Sequence, residues 1–279
     1  MTLAPVLLAA YAVPYAWRAR TLRRRGRPVP LWRLGCFAAA VLLLALAVSP
    51  PADHLADTRL SAHMAEHLII GDIAPLLAVL GVTGPLLAPL LRKPLVERLR
   101  PLSHPVAAFC LWAADLYLWH LPFAYEAALR HDLVHVLQHA CFFAVAFNLW
   151  LPLFGPLPKP AWFGTGAQLA YVVAVRVAGF ALGNALTWAH VEFYPFYGHA
   201  LGDQSAAGAV MMLEQMVVMI GLFGWLCARV IREAGQRQEL AELAGATGVA
   251  LDERRIARAV AAGRAGDLRA RLERDGGVR

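Results

Sequence analysis

Seven stretches of this chain are long and apolar enough to cross a bilayer, and no other property narrows its possible folds so far. They lie near residues 3–17, 34–50, 63–84, 105–122, 135–154, 166–189 and 208–228. A helix needs about 20 residues to span the hydrocarbon layer, and inside lipid it satisfies its own backbone hydrogen bonds. Of the 279 residues, 59% are apolar and 16% charged, against about a quarter charged in ordinary soluble domains. The expectation is an all-α, polytopic transmembrane helical bundle of about seven spans. The first stretch holds Pro5 and Pro14, which blur its limits. No positive segment precedes it and arginines follow it, so it reads as a span rather than a cleaved signal.

The net charge of +7 is distributed as a membrane bias rather than as a nucleic-acid surface. Seven arginines fall between Arg18 and Arg33. Arg92, Lys93, Arg98 and Arg100 lie between the third and fourth spans, and Lys159 between the fifth and sixth. The alternate loops hold only Arg59 and Arg130. The positive-inside rule then places the N-terminus outside and the C-terminus in the cytoplasm. After Trp225 the composition changes. Residues 229–279 hold eleven arginines and eight acidic residues, which reads as a solvated cytoplasmic tail of one or two helices near anionic lipid. Mixed charge without aromatic residues argues against nucleic acid. The expected division is a bundle over 1–229 and a basic tail over 230–279. Cys36, Cys110, Cys141 and Cys227 form no C-x-x-C pair and read as small apolar packing residues.

This topology sorts the histidines. Nine of the ten fall at or beyond the outer face, with only His104 on the cytoplasmic side. His54, His131 and His199 belong to outer loops, where an interfacial hydrogen-bonding role suffices. His63 and His67 open the third span and His135 and His139 open the fifth. Each pair is four residues apart and shares one helix face. His120 and His190 reach the same layer from the ends of the fourth and sixth spans. Imidazoles converging in this way suit zinc, copper, iron or nickel, and thioethers pull the preference towards copper(I). Met64 and Met211 are the methionines nearest the outer face, although methionine stripes are more often packing.

Ionisable residues inside spans are expensive, and Glu66, Asp72, Asp115, Arg176 and Glu214 are the ones that need reasons. At about 1.5 Å per residue, Asp72 lies roughly 13 Å below His63 and Asp115 roughly 7 Å below His120. Arg176 lies roughly 21 Å below His190. Glu66, Asp115 and Glu214 sit in or just under the histidine layer, where carboxylates orient imidazoles or offset a bound cation. Asp72 and Arg176 pair best by depth, as a structural ion pair.

His63, Glu66 and His67 also spell H-x-x-E-H, an inverted zinc-peptidase signature. That chemistry needs a third ligand, an open metal position and a cleft for a peptide. No soluble domain surrounds the motif, and it leaves the second histidine pair unexplained. Histidines on facing helices also suit axial ligation of haem b. A transporter using Asp72, Arg176 and Glu214, or a metal-free assembly scaffold, are further readings.

Beyond these patterns, "HMAEHLIIGDIAPLLAVLG", "SHPV" and "LYLWHLPFAYEAALRHDLVHVLQHACFFAVAFNLWLPLFGP" resemble the CtaG family of cytochrome c oxidase assembly factors. "LGDQSAAGAVMMLEQ" at 201–215 extends the likeness, which covers about residues 35–230. The resemblance implies a multi-pass protein of the bacterial plasma membrane that helps mature a haem–copper oxidase by handling copper on the outer side. It implies partners among the oxidase subunits and a soluble extracytoplasmic copper donor, and ligand exchange rather than enzymatic catalysis. The family's histidines match His63, His67, His120, His135 and His139. Its Asp-Gln matches Asp203 and Gln204, which adds Asp203 to the charge-balancing carboxylates.

Overall fold

The computed structural model describes residues 3–198, 201–261 and 263–275, and every regular element among them is helical. His199 lies outside the described residues. Prolines expected to break the spans instead start new helices, because a proline at a first helical position gives up an N–H that has no partner there. Helix α1 (Leu3–Arg24) and α2 (Leu31–Ala47) are followed by α3 (Pro50–Thr58), opened by Pro50 and Pro51. The third span runs from α4 (Leu60–Leu68) through a π-helical turn at Ile69–Ile73 into α5 (Ala74–Gly81). Between the third and fourth spans lie two short helices, α6 (Gly84–Leu91) and α7 (Pro94–Leu99), each with a proline in its first turn. Helix α8 (Pro105–Trp119) bends by 71° into α9 (Pro122–Arg130), and α2 bends by 55° into α3. Then come α10 (Asp132–Phe154), α11 (Thr165–Trp188), α12 (Leu201–Ala246), α13 (Glu253–Ala261) and α14 (Ala265–Asp275).

Among the described residues, four helices are long and apolar enough to cross a membrane: Leu60–Gly81, α10, α11 and α12. Each bent pair adds one, giving up to six. The expected first span is not among them. Although α1 continues through Pro14, Arg18, Arg20, Arg23 and Arg24 occupy its second half and shorten its apolar section. Large apolar side chains such as Leu42, Leu111, Val177 and Leu213 are exposed on these helices. In water such a surface would be a liability, so the helices mark a membrane protein.

The chain divides into two compact units, Met1–Met219 and Ile220–Arg279. This boundary follows packing and falls inside α12, whereas the expected one at 229/230 follows composition. In the first unit Leu60, Met64, Tyr125, Leu186, Tyr194, Ala207 and Met211 form one buried apolar cluster. It ties α4, α9, α11 and α12 to the segment before α12. Helices α11 and α12 approach closely where Gly183 faces Gly208, and a Cβ on Gly208 would collide with the Gly183 carbonyl and the Thr187 hydroxyl. Small residues at a helix crossing of this kind let backbones meet in lipid, where burial alone supplies little drive. In the second unit Leu240, Ala244, Ile256, Val260 and Leu272 form a separate small core. Arg269 pairs there with Glu239 at 2.7 Å and Glu273 at 3.0 Å. Both pairs are half exposed and contribute little.

Candidate metal centre

The two i,i+4 histidine pairs face each other. His63 and His67 on α4 and His135 and His139 on α10 each bring one ring nitrogen within 4.8 Å of all the others. Ring centroids are 4.3 Å apart within the first pair, 4.2 Å within the second, and 5.3 Å from His63 to His135 and from His67 to His139. The Nε2 atoms of His63 and His67 lie 2.8 Å apart. Two ring nitrogens this close either share a proton or direct both lone pairs at a common cation. Among the described residues, His67 Nδ1, His135 Nε2 and His139 Nε2 are buried with no hydrogen-bond partner. Such orphaned atoms are rare in native structures and call for a water or an ion.

The tetrad is oriented by groups that histidine spacing does not reveal. Asp203, at the start of α12, accepts hydrogen bonds from the Leu60 N–H at 2.6 Å, the Ser61 N–H at 3.3 Å and the Ser61 hydroxyl. It thus caps the first turn of α4, the helix that carries His63 and His67. Asp203, expected to support the histidines or balance their charge, is engaged at the helix N-terminus. Gln204 holds the segment after α11, accepting from the Phe193 N–H at 2.8 Å and donating to the Val191 carbonyl at 3.0 Å. That segment presents two tyrosines. The Tyr197 hydroxyl is 2.9 Å from His63 Nδ1, and Tyr194 donates to the His120 carbonyl at 2.7 Å. The chain turns immediately after Tyr197 at Gly198, whose φ of 74° favours glycine. Burial pushes both phenols above their ordinary range, so both stay neutral. Nothing in the sequence marks these tyrosines as parts of the site, beyond Tyr197 lying six residues before Asp203.

The other expected residues fall into three places. His120, Met64 and Met211 are buried beside the tetrad. His120 Nδ1 donates to the Leu116 carbonyl at 2.7 Å, and its ring centroid is 6.1 Å from that of His67. Glu66 is buried, with Oε1 4.0 Å from His139 Nδ1. Asp115 is half buried and lines a small chamber with His67 and His120. Glu214 is not in the histidine layer. It joins a deeper cluster in which Arg176 Nη1 lies 2.6 Å from Asp72 Oδ2 and 3.5 Å from Glu214 Oε1. Two carboxyls thus compete for one guanidinium, which draws Glu214 towards Arg176 instead of the imidazoles. His190 is exposed beyond the end of α11 and outside the tetrad, because the helix stops at Trp188 and the chain turns into an irregular segment there. His54 and His131 are exposed as well, His131 at the start of α10.

The model of the cytochrome c oxidase caa3 assembly factor family matches residues 13–233, a range that contains the whole tetrad. The chain belongs to that family. Helices α13 and α14 lie beyond the matched range. Among relatives, an uncharacterized protein of Mycobacterium bovis and one of Mycobacterium tuberculosis are each 25% identical over 238 residues, which is 75% of this chain and 36% of theirs. One of Mycobacterium leprae is 26% identical over 230 residues, 72% of this chain and 35% of its own. The chain therefore spans about a third of the length of these curated relatives. No solved structure matches it.

The donor set fits a cation. Four nitrogens at about 2.0 Å from one ion stand roughly 3.3 Å from each other. The observed nitrogens, all within 4.8 Å of one another, are of that order of separation. Tyr197 suits the required tautomer. With the His63 Nδ1–H donating to the phenol oxygen, the Nε2 lone pair is free for a metal.

Proposed function

We propose that the chain binds copper through His63, His67, His135 and His139 and assists its delivery to a haem–copper oxidase during assembly. The observation that carries this reading is the convergence of four imidazole nitrogens, three of them on rings that keep an orphaned buried nitrogen. Family membership supports the oxidase as the destination. The positive-inside rule supports an outer-face location, where a soluble copper donor can reach the site. Copper is here a cargo, and ligand exchange is the mechanism: neutral imidazoles hold the ion without trapping it, and a partner's ligands replace them one at a time.

Two other readings lose ground on geometry. A set of four imidazoles around one ion leaves no open position for a peptidase water, and Glu66 faces His139 rather than a cleft. Haem needs a pocket of several hundred Å³, while the chamber beside His67 and His120 has about 40 Å³. Copper titration of purified protein tests the proposal. The wild type is expected to retain copper through a chelator wash that strips a variant with all four histidines changed to alanine. Equal retention by the two proteins would sink it. A strain carrying the four-alanine variant is expected to assemble oxidase short of copper.

A further inference from the structure

Directly beside the tetrad is a chamber of about 40 Å³ lined by Met64, His67, Asp115, His120, Phe142 and Met211, among others. His63, His135 and His139 do not line it. The chamber is therefore a separate space that meets the tetrad only through His67. Its volume exceeds the 10–15 Å³ or so that a single water needs, so a small ion fits.

The walls carry a matched set of free donors. His67 uses Nε2 towards His63 and keeps Nδ1 buried and unpartnered. His120 commits Nδ1–H to the Leu116 carbonyl, which fixes its tautomer and leaves a lone pair on Nε2. That Nε2 is also buried without a partner among the described residues. The two rings are 6% and 7% exposed, and the thioethers of Met64 and Met211 come from side chains 1% and 3% exposed. Asp115 adds a half-buried carboxyl to the lining.

We infer that this chamber is a second copper position, specific for Cu(I), held by His120 Nε2 and the sulfurs of Met64 and Met211, with His67 common to it and the tetrad. The inference rests on the tetrad reading for the identity of the metal, but its ligands are different. Soft thioethers select the monovalent ion, whereas an all-imidazole tetrad accepts either oxidation state. A Cu(I) ion passes between the two positions without redox change. Each bond given up to a tetrad imidazole is replaced by one to His120 or a thioether, while His67 stays within reach of both.

Anaerobic Cu(I) titration of the purified full chain against a chromophoric chelator, combined with X-ray absorption at the copper edge, tests this. The wild type is expected to take up two equivalents and to show sulfur scattering. Met64→Leu with Met211→Leu conserves apolar volume, and is expected to drop uptake to one equivalent and remove the sulfur signal. His135→Ala with His139→Ala spares His67 and is expected to lose the other equivalent while keeping sulfur at the copper. A wild type that takes up one equivalent, ligated by nitrogen alone and unaffected by the double leucine change, overturns the chamber site and leaves the tetrad reading standing. That result would make the chamber a water cavity. Failure of the wild type to bind any Cu(I) overturns both.

Discussion

Two polar clusters are buried in the membrane-spanning helices, and they are built on opposite principles. Around Arg176 the groups are complementary: a guanidinium stands 2.6 Å from the Asp72 carboxyl, 3.5 Å from that of Glu214 and 5.2 Å from the Trp150 ring. Gln215 also donates to Glu214 at 2.8 Å. Some atoms remain without hydrogen bonds there, Arg176 Nε and Asp72 Oδ1 among them, but the charges are offset within the protein. Around His63 the groups are alike, four imidazoles of which three keep a buried ring nitrogen with no hydrogen-bond partner among the described residues. A cluster that answers its own charge stabilises a helix packing. One that leaves several of its buried ring nitrogens unanswered implies something that arrives from outside.

The difference is largest when one member is removed. Arg176→Met leaves two carboxyls, on side chains 6% and 8% exposed, without a cation. Breaking a buried pair in this way costs about 3–5 kcal/mol, to be read as a lower midpoint of thermal unfolding in detergent. Asp72→Asn is expected to cost less, because Glu214 remains beside the guanidinium. His135→Ala in the metal-free protein is expected to change stability by under about 1 kcal/mol, since its Nε2 has no protein partner to lose. Equal losses from Arg176→Met and His135→Ala would erase the distinction.

A smaller effect separates holding the metal from holding the fold. Tyr197→Phe removes the hydroxyl 2.9 Å from His63 Nδ1 and keeps the ring. Loss of such a supporting contact lowers metal affinity about 10–100-fold, and chelator competition measures it. The unfolding midpoint of the metal-free variant should stay close to that of the wild type. Asp203→Ala should behave in the reverse sense. It removes the cap from α4 and should cost about 0.5–2 kcal/mol of stability, with copper affinity falling only as far as the first turn of α4 loosens. Asp203→Asn keeps an acceptor and should recover most of the loss.

The same contrast explains what could be read from the sequence. The facing histidine pairs follow from helix period and topology, because i,i+4 spacing needs only the 3.6-residue turn. Asp72 and Arg176 are separated by 104 residues, yet depth in the bilayer restricts each to few partners. The clamps carried by residues 191–204 obey no such constraint. Asp203 meets Leu60 across 143 residues and Tyr197 meets His63 across 134, contacts that neither helix period nor depth in the bilayer specifies. Proline was legible as a break but not as a start, so α3, α6, α7 and α9 were unforeseen. The π-helical turn at Ile69–Ile73 was also hidden, because nothing in "IIGDI" departs from ordinary helix periodicity.

The smallest expected effect concerns His190, which sequence position alone would group with His120, since both close a helix ending in tryptophan. They part by burial. His120 is 7% exposed with its carbonyl held by Tyr194, whereas His190 is exposed beyond the last turn of α11. His190→Ala should leave copper uptake unchanged and stability within about 0.5 kcal/mol. For His190 to act as a ligand, the segment after Trp188 would have to fold inward. Gln204 opposes this by holding Val191 and Phe193 from both sides. A fall in copper uptake on His190→Ala would therefore mean that this clamp opens during loading. Gln204→Ala should then change the uptake rate in the wild-type background but not beside His190→Ala.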